Sequence, residues 1–196
     1  MTVHIINAHL TYPNWTEGRL NSSMVDIARS VFESAGHNVT VTSIEEGYDA
    51  AIEEGRHLDA DLVLLQTPIN WFGAPWIYKK YADEVFNAGL ASQSFLTGDG
   101  RTTEDLSRQY GSGGKMTGKK FLVATTWNAP AETFDNSDSI LFAGKSADDL
   151  LLHITSNYKF TGFDVLPSFG IYNIFRDGSI DVRLEEYKQH LLNLSF

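Results

Sequence analysis

Two adjacent aromatic residues, Trp71 and Phe72, stand in the stretch QTPINWFGAPWIYKKYADEVF (residues 66–86), where their faces could stack on a planar ring. Residues 61–66 (DLVLLQ) form a short continuous apolar run, the pattern of a central parallel strand covered on both faces. Pro68, Gly73 and Pro75 then punctuate the chain, and Pro75 suits the first turn of a helix, where its missing N–H is no loss. Trp71 and Phe72 therefore fall in a strand-to-helix loop. Open α/β sheets bind ligands in the crevice outside the carboxyl ends of their strands. The competing reading makes the pair core aromatics beneath a loop. The chain has no cysteine, so redox chemistry here must reside in a bound cofactor.

Two further segments could serve the same crevice. After the first strand-like run, Asn7-Ala8-His9 leads through a loop to Gly18, Arg19, Leu20, Asn21, Ser22 and Ser23 at a helix start. Exposed N–H groups and the helix dipole can cradle a pyrophosphate there, with His9 and Arg19 supplying positive charge. An ordinary turn before a capped helix would look similar. Thr126, Trp127, Asn128 and Ala129 follow the fourth strand-like run, and their backbone N–H groups can face negative charge on a ligand. A strand end plus turn is the alternative.

Other groupings carry less. Gly111-Ser112-Gly113-Gly114 precedes a strand instead of opening a helix, so it fails as a dinucleotide fingerprint and reads as a flexible turn. Glu186 and His190, one helical turn apart, lack the second pair a metal would need and read as a solvated face. Asp148-Asp149, Glu45-Glu46 and Glu53-Glu54 read as surface charge, and Lys79 and Lys80 as solvated helix residues, with Lys79 able to pair with Asp83.

The elements that must position these residues alternate. Strand-like runs at 3–7, 38–42, 61–66, 120–126 and 164–172 are separated mostly by helical patterns, which argues for a doubly wound parallel sheet. Leu20, Met24, Ile27, Val31 and Ala35 recur at helical spacing and Gly36 sits where a left-handed cap would end the helix. Ser146-x-x-Asp149 can cap a helix carrying Leu150, Leu151, Ile154 and Tyr158, while Leu184, Tyr187, Leu191 and Leu194 stripe the last one. Residues 91–118, rich in Gly, Ser and Thr, break the alternation as a long excursion, of the kind usually functional or contact-making. No composition shift marks a second domain, so residues 1–196 read as one.

The 196 residues carry a formal charge of −10, against the basic face that phosphate-backbone binding normally uses, so no nucleic-acid partner is expected. No segment approaches the roughly 20 apolar residues of a spanning helix, and the strand-like start at Val3 lacks the basic flank of a signal peptide. A cytoplasmic address is the expectation.

Taken in order, Gln66-x-Pro-x-x-Trp-Phe-Gly-x-Pro-x-x-x-Lys79, Asp99-Gly100-Arg101, Tyr110-Gly111-Ser112-Gly113-Gly114, Thr126-Trp127-Asn128-Ala129-Pro130 and Glu185-Glu186-Tyr187-x-x-His190-Leu191 resemble the flavodoxin-like NAD(P)H:quinone oxidoreductases, most of all the modulator of drug activity B branch. The resemblance covers nearly the whole chain. It implies an α/β fold with a doubly wound five-stranded parallel sheet in the order 2-1-3-4-5 and helices on both faces. It implies FAD as cofactor, NADPH or NADH as hydride donor, a quinone as acceptor, two-electron ping-pong transfer and a homodimer with the site near the interface. Its flavin contacts carry over onto Thr16 to Ser23, Ile69, Asn70, Trp71, Phe72, Tyr110 and Thr126 to Ala129. Ala8-His9 departs from the branch and is more like the wider group. Trp127-Asn128-Ala129-Pro130 lacks the Tyr and His pair that some members carry, so no proton donor is assigned. The readings beside this one are a flavodoxin-like electron carrier or flavin-binding regulatory subunit, and a nitro- or azo-reductase on the same scaffold.

Overall fold

Strands form where apolar residues can cover two faces of one sheet. The computed structural model describes residues 1–194, and Ser195 and Phe196, the end of the expected domain, lie outside the described residues. The strands are β1 (Thr2–Asn7), β2 (Asn38–Ser43), β3 (Leu62–Pro68), β4 (Lys120–Thr126), β5 (Asp164–Val165) and β6 (Phe169–Ile171). The helices are α1 (Arg19–Ser34), α2 (Ala50–Asp59), α3 (Trp76–Ala91), α4 (Ala147–Leu150), α5 (Leu152–Thr161) and α6 (Ile180–Leu192). All strand pairs are parallel and the order is β2-β1-β3-β4-β5, as the resemblance implies.

The fifth position differs from its expectation. In place of one strand over 164–172, β5 pairs with Lys120 and Phe121 and β6 pairs with Ala124, Thr125 and Thr126. Pro167, which has no N–H for the ladder, lies in the gap.

Side chains alternate across the sheet as strand geometry requires. Val3, Ile5, Leu62, Leu64, Leu122 and Ala124 pack with Met24, Ala28 and Phe32 of α1 and Tyr187 and Leu191 of α6. Ile6, Val63, Leu65, Phe121 and Val123 pack on the other face with Tyr81 and Val85 of α3 and Ile154 and Tyr158 of α5. Burying one such leucine contributes about 1.5–3 kcal/mol.

Helix ends follow their signals closely. Gly36 takes a left-handed φ of 78° after α1, and the His37 N–H returns to the Phe32 carbonyl at 3.0 Å. Ser146 and Asp149 form the full capping box. Leu151, fully buried at φ −89° and ψ 2°, then leaves helical geometry and divides the expected single helix into α4 and α5. Pro75 is the N-cap of α3 and not a residue of its first turn. Leu194 lies beyond α6 but still packs against the core.

Two expectations about polar segments are corrected. The glycines at 111–114 do not make a loose turn. A Cβ on Gly113 would stand 2.1 Å from the Gly98 carbonyl oxygen, and one on Gly114 would stand 2.2 Å from the Thr161 carbonyl carbon. Only glycine permits this backbone-to-backbone packing. Glu53, unlike its half-buried neighbour Glu54, is not surface charge: successive helical residues point about 100° apart, and Glu53 faces the sheet. Its carboxylate accepts from His4 Nε2 at 3.0 Å, the Thr42 hydroxyl at 2.8 Å, the Tyr81 hydroxyl at 2.6 Å and Arg56 Nη1 at 2.6 Å. Burial pushes its pKa up, but the bonds from His4, Tyr81 and Thr42 outweigh that and hold it at about 2. His57, one turn on, is fully buried, and burial pushes it down to about 3.

Candidate functional site

A cavity of about 720 Å³ opens at the carboxyl ends of β1, β3 and β4, where parallel sheets place their ligands. Three loops make most of its wall. The β1–α1 loop and the first turn of α1 give His9, Trp15, Thr16, Gly18, Arg19, Leu20 and Asn21; the end of β3 and the loop after it give Pro68, Ile69, Asn70, Trp71 and Phe72; the end of β4 and the loop after it give Thr126, Trp127, Asn128 and Ala129. Leu141, Ile174, Phe175 and Ile180 close the remainder.

The β3–α3 loop holds its aromatic pair in an unusual backbone. Asn70 and Gly73 exchange backbone hydrogen bonds of 2.8 and 3.2 Å across a turn whose central residues, Trp71 and Phe72, both have left-handed φ, 50° and 67°. Asn and Gly normally occupy such positions, and bulky residues there cost about 1–3 kcal/mol each. The strain places Trp71, 90% exposed, at the cavity mouth. The Ile69 N–H donates to the Thr126 carbonyl at 2.9 Å and ties this loop to the end of β4.

Donors without acceptors converge on the cavity. Among the described residues, the backbone N–H groups of Trp71, Phe72, Asn128 and Ala129 find no acceptor in the chain, and Asn70 Nδ2 is buried without a partner. Trp127 departs from its expected role. Its N–H donates to the Ile171 carbonyl at 2.8 Å, its indole N–H to Thr125 Oγ1 at 2.7 Å, and the ring is 2% exposed. It is a packed support whose two donors are already used.

At the other end, α1 starts at Gly18, φ 72°, with no side-chain cap, whereas α2 is capped by Asp49. The first-turn N–H groups of α1 are thereby left for a ligand, and the helix dipole favours an anion. A Cβ on Gly18 would meet His9 Nδ1 at 2.5 Å, so glycine is required both by φ and by the imidazole. The Asn21 side chain points inward, donating to Asn7 Oδ1 and accepting from Gln66 Nε2 at 3.2 Å, which leaves only its backbone for the ligand end. His9 and Arg19 are the titratable groups of the wall, and Arg19 is bound to Glu17 at 2.7 and 3.0 Å. Burial lowers the His9 pKa while the Glu45 carboxylate raises it.

Glu17, Ser22, Ser23 and Tyr110 do not line the cavity. Tyr110 packs on Phe160 with ring centroids 5.2 Å apart and Arg101 lies 5.3 Å from its ring. Phe160 adjoins Thr161, whose carbonyl accepts from Met116 N at 2.9 Å before β4 begins, so Tyr110 sits toward the opposite end of the sheet. Trp15, Pro68, Leu141, Ile174, Phe175 and Ile180 are wall residues that sequence reasoning missed. The rule that selects the loops after β1, β3 and β4 applies equally to the loop after the last strand, and would have found Ile174 and Phe175.

A planar ring with polar edges, joined to a phosphate, fits this set: exposed aromatics and unpaired N–H donors at one end, an uncapped helix start at the other.

Comparison with known proteins agrees with the architecture. The profile of a family described as flavodoxin-like fold matches residues 1–194. NADPH:quinone oxidoreductase MdaB of Haemophilus influenzae is 35% identical over 176 residues, covering 90% of this chain and 90% of that protein. A solved Klebsiella pneumoniae structure superposes with a TM-score of 0.78 at 23% identity, over 97% of this chain and 83% of that one. General stress protein 14 of Treponema denticola, solved in complex with FMN, superposes with a TM-score of 0.66 at 22% identity over 97% of each chain. The match along residues 1–194, joined to the Haemophilus relative across nine-tenths of both chains, shows that this protein belongs to the flavodoxin-like family, in the quinone oxidoreductase branch that contains MdaB.

Proposed function

We propose that the protein is an FAD-dependent NAD(P)H:quinone oxidoreductase working by a two-electron ping-pong mechanism in the cytoplasm, with residues 1–196 as one flavin-binding domain. The observation that carries this reading is the strained Trp71–Phe72 turn facing Asn128 and Ala129 across one cavity, with unpaired backbone donors on both sides. A flavin held here would supply the two-electron redox chemistry that links a nicotinamide to a quinone.

The chain's own residues position and tune that chemistry. Trp71 and Phe72 would pack beside the ring, and their N–H groups, with those of Asn128 and Ala129, would be available to its polar atoms. Fixed donors of this kind favour negative charge without reorganising during the reaction. Trp127 buttresses the floor from below. The start of α1 and His9 receive the phosphate end. Leu141 and Phe175 shield the ring from water. The volume lies within the range of cofactor sites, and FAD as the particular flavin is what the family resemblance implies.

The same reading includes a homodimer. Trp71, Leu141 and Phe175 of the cavity wall are exposed, as is Ile140 beside Leu141 in the chain, and Tyr110 lies away from its own cavity, so its flavin contact would be made in the partner's site.

The test is to release and identify the flavin from purified protein, then vary NADPH or NADH against menadione. Parallel double-reciprocal lines are expected. Absence of flavin contradicts the cofactor, and intersecting lines contradict ping-pong.

A further inference from the structure

The loop between β1 and α1 is braced by a carboxylate that sequence reading places on the surface. Glu45, in the 3-10 turn Ile44–Glu46 after β2, accepts from the Thr11 N–H at 2.9 Å and the Thr11 hydroxyl at 3.0 Å. Its Oε2 also stands 3.8 Å from His9 Nδ1. On the other side of the ring, His9 Nε2 stands 3.4 Å from Thr16 Oγ1, a residue of the cavity wall that also accepts from the Gly18 N–H at 3.3 Å. Nδ1 of the imidazole thus faces Glu45, Nε2 faces Thr16 of the cavity wall, and Gly18 at the start of α1 packs against the ring.

We propose that Glu45 is a positioning residue that fixes the loop and aligns His9 so that His9 takes up a proton as the flavin's phosphate group binds. This deepens, and rests on, the reading of the cavity as a flavin site. Among the described residues, Glu45 from the turn after β2 is the charged group that stands within 4 Å of His9, while Arg19, the other titratable residue of the wall, is paired with the exposed Glu17. The walls contributed by the β3–α3 loop, the end of β4, Leu141, Ile174, Phe175 and Ile180 are uncharged.

With no ligand, burial disfavours the imidazolium and the single carboxylate of Glu45 opposes that effect. A phosphate received at the start of α1 would add a second anion beside the ring. The complex therefore holds the His9 proton to higher pH than the free protein does, and one proton passes from solvent to His9 on binding. Linkage then makes affinity greatest below the free protein's His9 pKa and lower as pH rises through that of the complex.

Flavin-free full-length protein, wild type and the variants Glu45→Gln and His9→Gln, would be titrated with FAD by fluorescence quenching across roughly pH 5.5 to 8.5, the range in which histidine titrates. His9 would be followed in parallel by NMR in the flavin-free protein. Wild-type affinity should fall as pH rises. In Glu45→Gln, the His9 titration should move to lower pH, with FAD binding near neutrality weakened by about tenfold for each unit of that displacement. His9→Gln should bind with little pH dependence, with circular dichroism reporting an intact fold. An unchanged pH profile in Glu45→Gln, or a loss of equal size at every pH, overturns the proposal. Failure of the wild type to bind FAD at any pH overturns the flavin reading itself, and the wild-type titration separates the two failures.

Discussion

Trp71 combines two properties that rarely coincide in one residue, a large exposed aromatic face and a left-handed backbone. Since little of the ring is buried, Trp71→Ala should change stability by less than about 0.5 kcal/mol. Removing a stacking face should weaken FAD binding by roughly tenfold, on the order of 1–1.5 kcal/mol. Equilibrium dialysis alongside thermal melting separates the two effects, and unchanged flavin affinity would remove the platform role. Glu53 is the opposite case, a carboxylate whose value lies in the fold. Its carboxyl is held at about 2, below its ordinary 4.5, so its contribution is complete above pH 4.5 and lost as pH falls toward 2. Neutral His57 acts over a higher window, since its pKa is lowered from 6.5 to about 3 and its contribution fades as pH falls between those values. Glu53→Gln leaves His4, Tyr81 and Arg56 without their anion and should cost about 3–5 kcal/mol at neutral pH. It should also flatten the loss of stability below pH 4.5, as read by urea unfolding at several pH values.

The elements were legible in the sequence to different degrees, for physical reasons. The four long strands and α1 carry unbroken apolar or helical periodicity, and they fold where that periodicity places them. The capping box at Ser146 was equally readable because its two bonds are local. Ser146→Ala should cost about 0.5–2 kcal/mol. In a chain of this size that lowers Tm by a few degrees, which calorimetry would register. Residues 164–172 read as one strand because their apolar content is continuous; the break depends on Pro167, and its tolerance depends on β4 offering two separate pairing segments. Glu53 and Glu54 are indistinguishable as sequence. Only the orientation of α2 against β1, β2 and α3 selects which one is buried. The wall of the site was readable where motifs fall at strand ends, and not at Leu141 or Trp15, whose positions depend on how long loops return to the cavity.

At the scale of the whole molecule, a chain with formal charge −10 lines this cavity mostly with uncharged residues, several of them exposed apolar side chains. Among the described residues no helix is long and apolar enough to cross a membrane. Exposed apolar side chains at a cavity wall suit a contact surface, and a second copy of the chain is the occupant proposed above. Ile140, next to the wall residue Leu141 in the chain, is fully exposed, so Ile140→Glu should leave the monomer's fold intact while shifting the mass measured by light scattering from dimer toward monomer. An unchanged dimer would place the interface elsewhere. The central claim, that the crevice at the ends of β1, β3 and β4 holds a flavin that nicotinamide can reduce, is tested most directly by anaerobic stopped-flow absorbance of the purified protein. The account predicts that NADPH or NADH bleaches the oxidised flavin band and that menadione, added next, restores it. A flavin that stays oxidised with both nicotinamides would contradict it.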